Sequence, residues 1–88
     1  MEIEYKAKAL KDREYWKRSG NKQVMKKILT LIADIRLHPF TGIGKPEPLK
    51  EKLNGMWSRR ITDEHRFIYT ISNDLISVIS MRGHYENF

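Results

Sequence analysis

Eighty-eight residues leave room for one hydrophobic core, so residues 1–88 read as a single domain. A chain that is 40% hydrophobic and 32% charged is globular rather than disordered, and the lack of cysteine excludes both a disulfide framework and a thiolate metal site. No apolar run approaches membrane-spanning length and residues 1–5 carry no apolar secretory core, so a cytoplasmic setting without a membrane is expected.

The charge is uneven. Seventeen basic against 11 acidic residues give +6, which favours a polyanionic or acidic partner. Residues 1–38 hold 10 Lys/Arg against 5 Asp/Glu, whereas residues 39–88 hold 7 against 6. The surplus therefore sits on the N-terminal half, where it fits a nucleic-acid footprint and solvated helix faces equally well.

In chain order, Ile3 and Tyr5 alternate within a short, weak strand over residues 2–6. Residues 7–18 read as a helix, with Gly20 suited to its C-terminal end and Asn21 to the N-cap of the next. The second helix has the clearest periodicity: Val24, Met25, Ile28, Leu31, Ile32 and Ile35 form one stripe, with Lys22, Lys26, Lys27, Asp34 and Arg36 off it. It is expected to end near His38, because Pro39 disfavours helical geometry in the residue before it.

Residues 39–54, with Gly42, Gly44, Pro46 and Pro48, read as a long loop. Trp57 onwards reads as an antiparallel meander of three β-rich runs with a turn at Ser72-Asn73-Asp74. The predicted fold class is α+β: an N-terminal strand, two helices, then an antiparallel β-meander with the helices packed on one sheet face.

The meander carries Arg59, Arg60, Arg66, Arg82, His84 and Tyr85, types suited to a phosphodiester. Their placement depends on the hairpin. A two-residue Asn73-Asp74 turn pairs Arg66 with Met81 and sends His84 to the opposite side. A three-residue loop pairs Arg66 with Arg82 and gathers Arg66, Arg82 and His84 on one face. The second register leaves Phe67, Tyr69, Ile71, Ile79 and Met81 as a core layer under the helix stripe, and the hydrophobic pattern favours it. His65, alternating with Arg66, then faces the core, and Trp16 and Trp57 are expected to pack.

In Lys45-Pro46-Glu47-Pro48-Leu49-Lys50, the two prolines stiffen the chain that presents Glu47. Stiff placement suits a general base; the plainer reading is a proline-braced loop with an exposed carboxylate. His38, His65 and His84 have no metal-ligand spacing, so no metal site is predicted.

That hexapeptide, together with Trp57-Ser58-Arg59-Arg60-Ile61, Glu64-His65-Arg66 and His84-Tyr85, closely resembles the YoeB/Txe toxins of the RelE-like superfamily of toxin–antitoxin ribonucleases. The resemblance runs over nearly the whole chain. It implies a fold related to microbial ribonucleases and cleavage of mRNA in the ribosomal A site without a cofactor. It also implies inhibition by a YefM-like antitoxin, operator DNA binding only through the antitoxin complex, and homodimerisation. Carried over by residue, it makes Glu47 the general base, His84 the general acid and Arg66 the phosphate-stabilising group. Tyr85 orients the substrate, and Lys50, Arg59 and Arg60 match basic positions around the site; Arg82 joins them as site support through the hairpin register, not the resemblance. Removal of a 2′-hydroxyl proton, protonation of the 5′-leaving oxygen and stabilisation of the phosphorane need these types.

The chain departs from the pattern near its end. Glu86, Asn87 and Phe88 follow the His-Tyr pair, where many relatives stop, and Gly83 stands where some have an aromatic. Gly83 is expected to loosen His84, and Glu86 to favour its imidazolium form. An alternative from a different class is a non-catalytic module that docks RNA or a partner chain, needing the basic helices but not Glu47.

Overall fold

The computed structural model of the chain describes residues 1–84. Strand β1 (Glu2–Tyr5) leads directly into helix α1 (Ala7–Ser19), which stops where Gly20 enters the left-handed region at φ 69°. Asn21 then caps helix α2 (Lys22–Leu37), its side-chain oxygen accepting the Val24 N–H at 3.1 Å. Both punctuation residues act where their chemistry places them. Helix α2 ends one residue short of His38, before Pro39.

Val24, Ile28, Leu31, Ile32 and Ile35 are buried along α2, as their spacing requires. With Ala9 and Trp16 of α1 they pack on Phe67, Tyr69, Ile76, Val78 and Met81 of the sheet.

The sheet departs from a simple meander. Its order is β1-β5-β4-β3-β2, where β2 is Glu47–Pro48, β3 Trp57–Arg60, β4 Arg66–Ser72 and β5 Leu75–Ser80. Strand β1 runs parallel to β5, so the sheet is mixed, and the predicted loop contributes a two-residue edge strand antiparallel to β3. The α+β class stands. The N-terminal strand was too short to reveal its partner, and two prolines masked the edge strand; neither residue pattern excludes pairing at a sheet edge.

The β4–β5 hairpin resolves the register question in an unexpected way. Ser72 pairs with Leu75, so the turn is the two-residue Asn73-Asp74, both residues at positive φ (51° and 60°). Tyr69 pairs with Val78, but Ile68 pairs with Ser80: a bulge inserts Ile79. Ile76 and Val78 therefore enter the core in place of the predicted Ile79, while Met81 still reaches it. One extra residue in the strand gives the far end of the hairpin the offset expected from a longer loop.

Candidate active site

The β2–β3–β4 ladder assembles one face of the site. Glu47 pairs with Ser58 and Ser58 with Ile68; two residues along, Arg60 pairs with Arg66. Paired residues share a sheet face, so Glu47, Arg60 and Arg66 lie on the same side, opposite the face that packs on the helices. Glu47 is two strands and two residues from Arg66, a Cα separation of roughly 12 Å from ordinary strand spacing and rise. Glu47 and Arg60 are exposed there, and Lys50, beyond the end of β2, is exposed as well.

Two arginines directly opposite would repel. The conflict is resolved by sending them different ways. Arg60 stays in solvent, whereas Arg66 is buried and its Nη1 donates to the carbonyls of Thr62 at 2.7 Å, Asp63 at 3.1 Å and His65 at 3.2 Å. The β3–β4 loop thus fixes the Arg66 guanidinium and disperses its charge over three carbonyl dipoles.

Arg66 also anchors the end of the described chain, its N–H donating to the Gly83 carbonyl at 3.0 Å. His84 follows directly and is half-buried. Gly83 is held rather than loose, because its own N–H donates to His65 Nδ1 at 2.9 Å. Tyr85, like Glu86, Asn87 and Phe88, lies outside the described residues.

Arg82 does not join Arg66. Its guanidinium carbon lies 3.6 Å from the centroid of the Tyr15 ring, on the α1 side. The register that brings their backbones together leaves their charged groups facing different elements.

Arg59 is the clearest correction to the residue-by-residue expectation. It is fully buried on the helix side of β3, beneath α2, and cannot face RNA beside Arg60. Its guanidinium pairs with the Asp34 carboxylate and donates to the carbonyls of His38, Thr41 at 2.8 Å and Ile43 at 3.1 Å, while Nε donates to the Tyr69 hydroxyl at 3.1 Å. The Arg59 hydrogen bond holds the Asp34 carboxyl below its usual range, reinforced by the Ile43 N–H against the effect of burial. Burial pushes the Tyr69 hydroxyl up, partly opposed by Arg59. The result is a staple between α2, the 39–44 loop and β3. Arg60 N–H closes it by donating to the Gly44 carbonyl at 2.7 Å, three residues before Glu47.

Asp34 and Asp12 are supporting residues that composition did not single out. Asp12 is buried on α1, accepting the Met81 N–H at 2.9 Å and Lys8 Nζ at 2.8 Å. For Asp34 no residue pattern points inward, since it lies off the apolar stripe. For Arg59 one does: two residues on from Trp57, it shares the strand face of that half-buried ring, which packs against the core and meets Phe40 with ring centroids 4.8 Å apart.

Known proteins share this fold. Residues 5–85 match the family model of the YoeB-like toxin of bacterial type II toxin–antitoxin systems. Over 85 residues the chain is 45% identical to toxin YoeB of Escherichia coli K12, covering 97% of this chain and 100% of that one. It superposes on a YoeB/ParE toxin from Agrobacterium tumefaciens with a TM-score of 0.92 at 42% identity, covering 97% of this chain and 100% of the other. The toxin in a YoeB–YefM complex from Staphylococcus aureus gives 0.87 at 40% identity, over 97% and 98% of the two chains. The chain belongs to the family of YoeB-like toxins of bacterial type II toxin–antitoxin systems.

Proposed function

We propose that this toxin is a ribosome-dependent mRNA endonuclease that cuts in the ribosomal A site and so blocks translation. The observation that carries this reading is the placement of exposed Glu47 on the same sheet face as the Arg60–Arg66 pair, with Arg66 bonded to the residue before His84.

In the proposed reaction Glu47 takes the proton of an RNA 2′-hydroxyl, and the 2′ oxygen bonds to phosphorus. The bond from phosphorus to the 5′ oxygen breaks, and that oxygen takes a proton from His84. Arg66 stabilises the charge that builds on the phosphorane, and Tyr85 orients the substrate. The products are a 2′,3′-cyclic phosphate and a 5′-hydroxyl, with no cofactor taking part. DNA, lacking the 2′-hydroxyl, is not cut. Lys50 and Arg60 supply positive charge around the phosphate path, and the ribosome splays the codon so that attack is in line. A YefM-like antitoxin holds the protein inactive and supplies operator DNA binding, and the toxin self-associates as a homodimer. The proposed setting is the cytoplasm; among the described residues no helix is long and apolar enough to cross a membrane.

The test is primer extension on a defined mRNA in stalled, purified ribosomes. A new end inside the A-site codon, absent from ribosome-free RNA, is the expected result. Intact mRNA with the protein still bound would replace the nuclease by a binding module.

A further inference from the structure

The main chain that delivers His84 is gripped from several sides. Asp12 accepts the Met81 N–H at 2.9 Å, and Trp16 Nε1 donates to the Met81 carbonyl at 2.8 Å. Lys8 Nζ and Ser80 Oγ donate to the Arg82 carbonyl at 3.0 and 3.2 Å. At Gly83 the carbonyl takes the Arg66 N–H at 3.0 Å, and the N–H goes to His65 Nδ1 at 2.9 Å.

Gly83 is where this grip matters most. Its φ is +82°, and a Cβ built there meets nothing within 4 Å among the described residues. Glycine is the residue with the widest backbone freedom, so what fixes its conformation matters here. Two hydrogen bonds restrain Gly83 directly. One comes from the rigid β4 backbone at Arg66. The other goes to the His65 ring, which accepts it and stands edge-on to Trp16 with centroids 4.9 Å apart.

We infer that His65 is a positioning residue for His84, acting through the Gly83 N–H without touching the substrate. The inference rests on the reading of His84 as the general acid. The acceptor must be an unprotonated Nδ1, so the working ring carries its proton on Nε2. Losing this bond releases the N–H of the Arg82–Gly83 peptide and leaves the φ of Gly83, one residue ahead of His84, restrained from one side fewer. Small displacements of an acid from the leaving oxygen cost much of the rate while leaving RNA binding intact.

Single-turnover cleavage on stalled ribosomes tests this with wild type, His84→Ala, His65→Phe and His65→Asn. Phe keeps a ring against Trp16 but has no acceptor; Asn offers an oxygen near the position of Nδ1. With wild type cutting and His84→Ala silent, His65→Phe is expected to lose about 10²-fold in the single-turnover rate constant at an unchanged half-saturating toxin concentration. His65→Asn is expected to recover most of that loss. A folded His65→Phe that cuts at the wild-type rate overturns the inference, as does an Asn variant no faster than Phe. Failure of wild type to cut, or full activity of His84→Ala, overturns the underlying reading instead. Imidazole 15N shifts, assigned with His65→Phe, check the bond itself: an unprotonated, hydrogen-bonded Nδ1 on His65 is expected, and an Nδ1–H overturns the inference.

Discussion

Arg59 Nε donates to the Tyr69 hydroxyl at 3.1 Å, and that hydroxyl donates onward to the Pro39 carbonyl at 2.7 Å. The relay ties β3 and β4 to the start of the loop that ends at Glu47. Arg59 and Arg60, neighbours in sequence, therefore do different work: one shapes the loop from inside and the other faces solvent.

Their substitutions should separate cleanly. Arg59→Ala leaves three loop carbonyls and the Tyr69 hydroxyl without a donor and is expected to lower stability by on the order of 3 kcal/mol. Arg59→Lys recovers little, because a point ammonium cannot spread over that fork of acceptors. Arg60→Ala is expected to leave the melting temperature unchanged and to weaken the productive RNA complex roughly tenfold, about one charge-assisted contact. Thermal melts alongside ribosome-dependent cleavage check both. Equal melting losses for the two variants would remove the distinction.

Glu47 offers the sharpest test of chemistry against binding. It is exposed at the sheet edge, with its backbone set by the Ser58 pairing and by Pro46 and Pro48. Glu47→Gln keeps that geometry and removes only the base, so cleavage should fall by about 10²–10⁴ at unchanged stability and ribosome binding. Full activity in the Gln variant would mean that the carboxylate does no proton transfer.

How far the residues foretold this arrangement follows from the kind of signal each one carries. Helix α2, its Asn21 cap and its stop before Pro39 were legible, because periodicity and capping are local. The hairpin was half legible: hydrophobic alternation required the offset found near Arg66, but a bulge at Ile79 and a longer turn satisfy that pattern equally well. The parallel β1–β5 pairing was not legible, since a partner more than seventy residues away leaves no mark on four residues. Arg59 was misplaced by its neighbour: motif matching treats Arg59 and Arg60 alike, whereas strand alternation puts them on opposite faces. Glu47 and Arg66 were located by motif, and the ladder accounts for their shared face only once β2 is recognised as a strand.

The Asp34–Arg59 pair carries a pH dependence with a definite sign. A carboxyl held below its unfolded value contributes stability above the ordinary Asp range, about pH 4, and loses it as the pH falls through the lowered folded value. Glu4 is lowered too, chiefly by the Ser77 hydroxyl and then by Lys6, so part of the acid loss belongs to β1. Asp34→Asn is expected to melt lower than wild type at neutral pH and to show a shallower decline below pH 4 (about the unfolded Asp value). Melting curves across that window check it, with Glu4→Gln as the companion that removes the other share. An acid decline in Asp34→Asn as steep as in wild type would detach the effect from this pair.

Gly20 and Gly83 provide a matched pair for separating fold from function. Both have positive φ, +69° and +82°, and at neither does an added Cβ meet an atom of the described residues within 4 Å. Alanine at either position pays only for the left-handed backbone, so each substitution should destabilise by about 1–2 kcal/mol. The consequences for cleavage should differ. Gly20 ends α1, and strain there dissipates into the exposed Ser19–Asn21 connection. Gly83 is hydrogen-bonded to Arg66 and His65 and directly precedes His84, so any relaxation of its φ redirects the side chain assigned as the acid. Gly83→Ala is expected to reduce single-turnover cleavage by at least tenfold beyond Gly20→Ala at equal melting temperature. Equal rates in the two variants would show that the conformation of Gly83 sets stability alone, and the link from the sheet register to the acid would have to run through residues after His84.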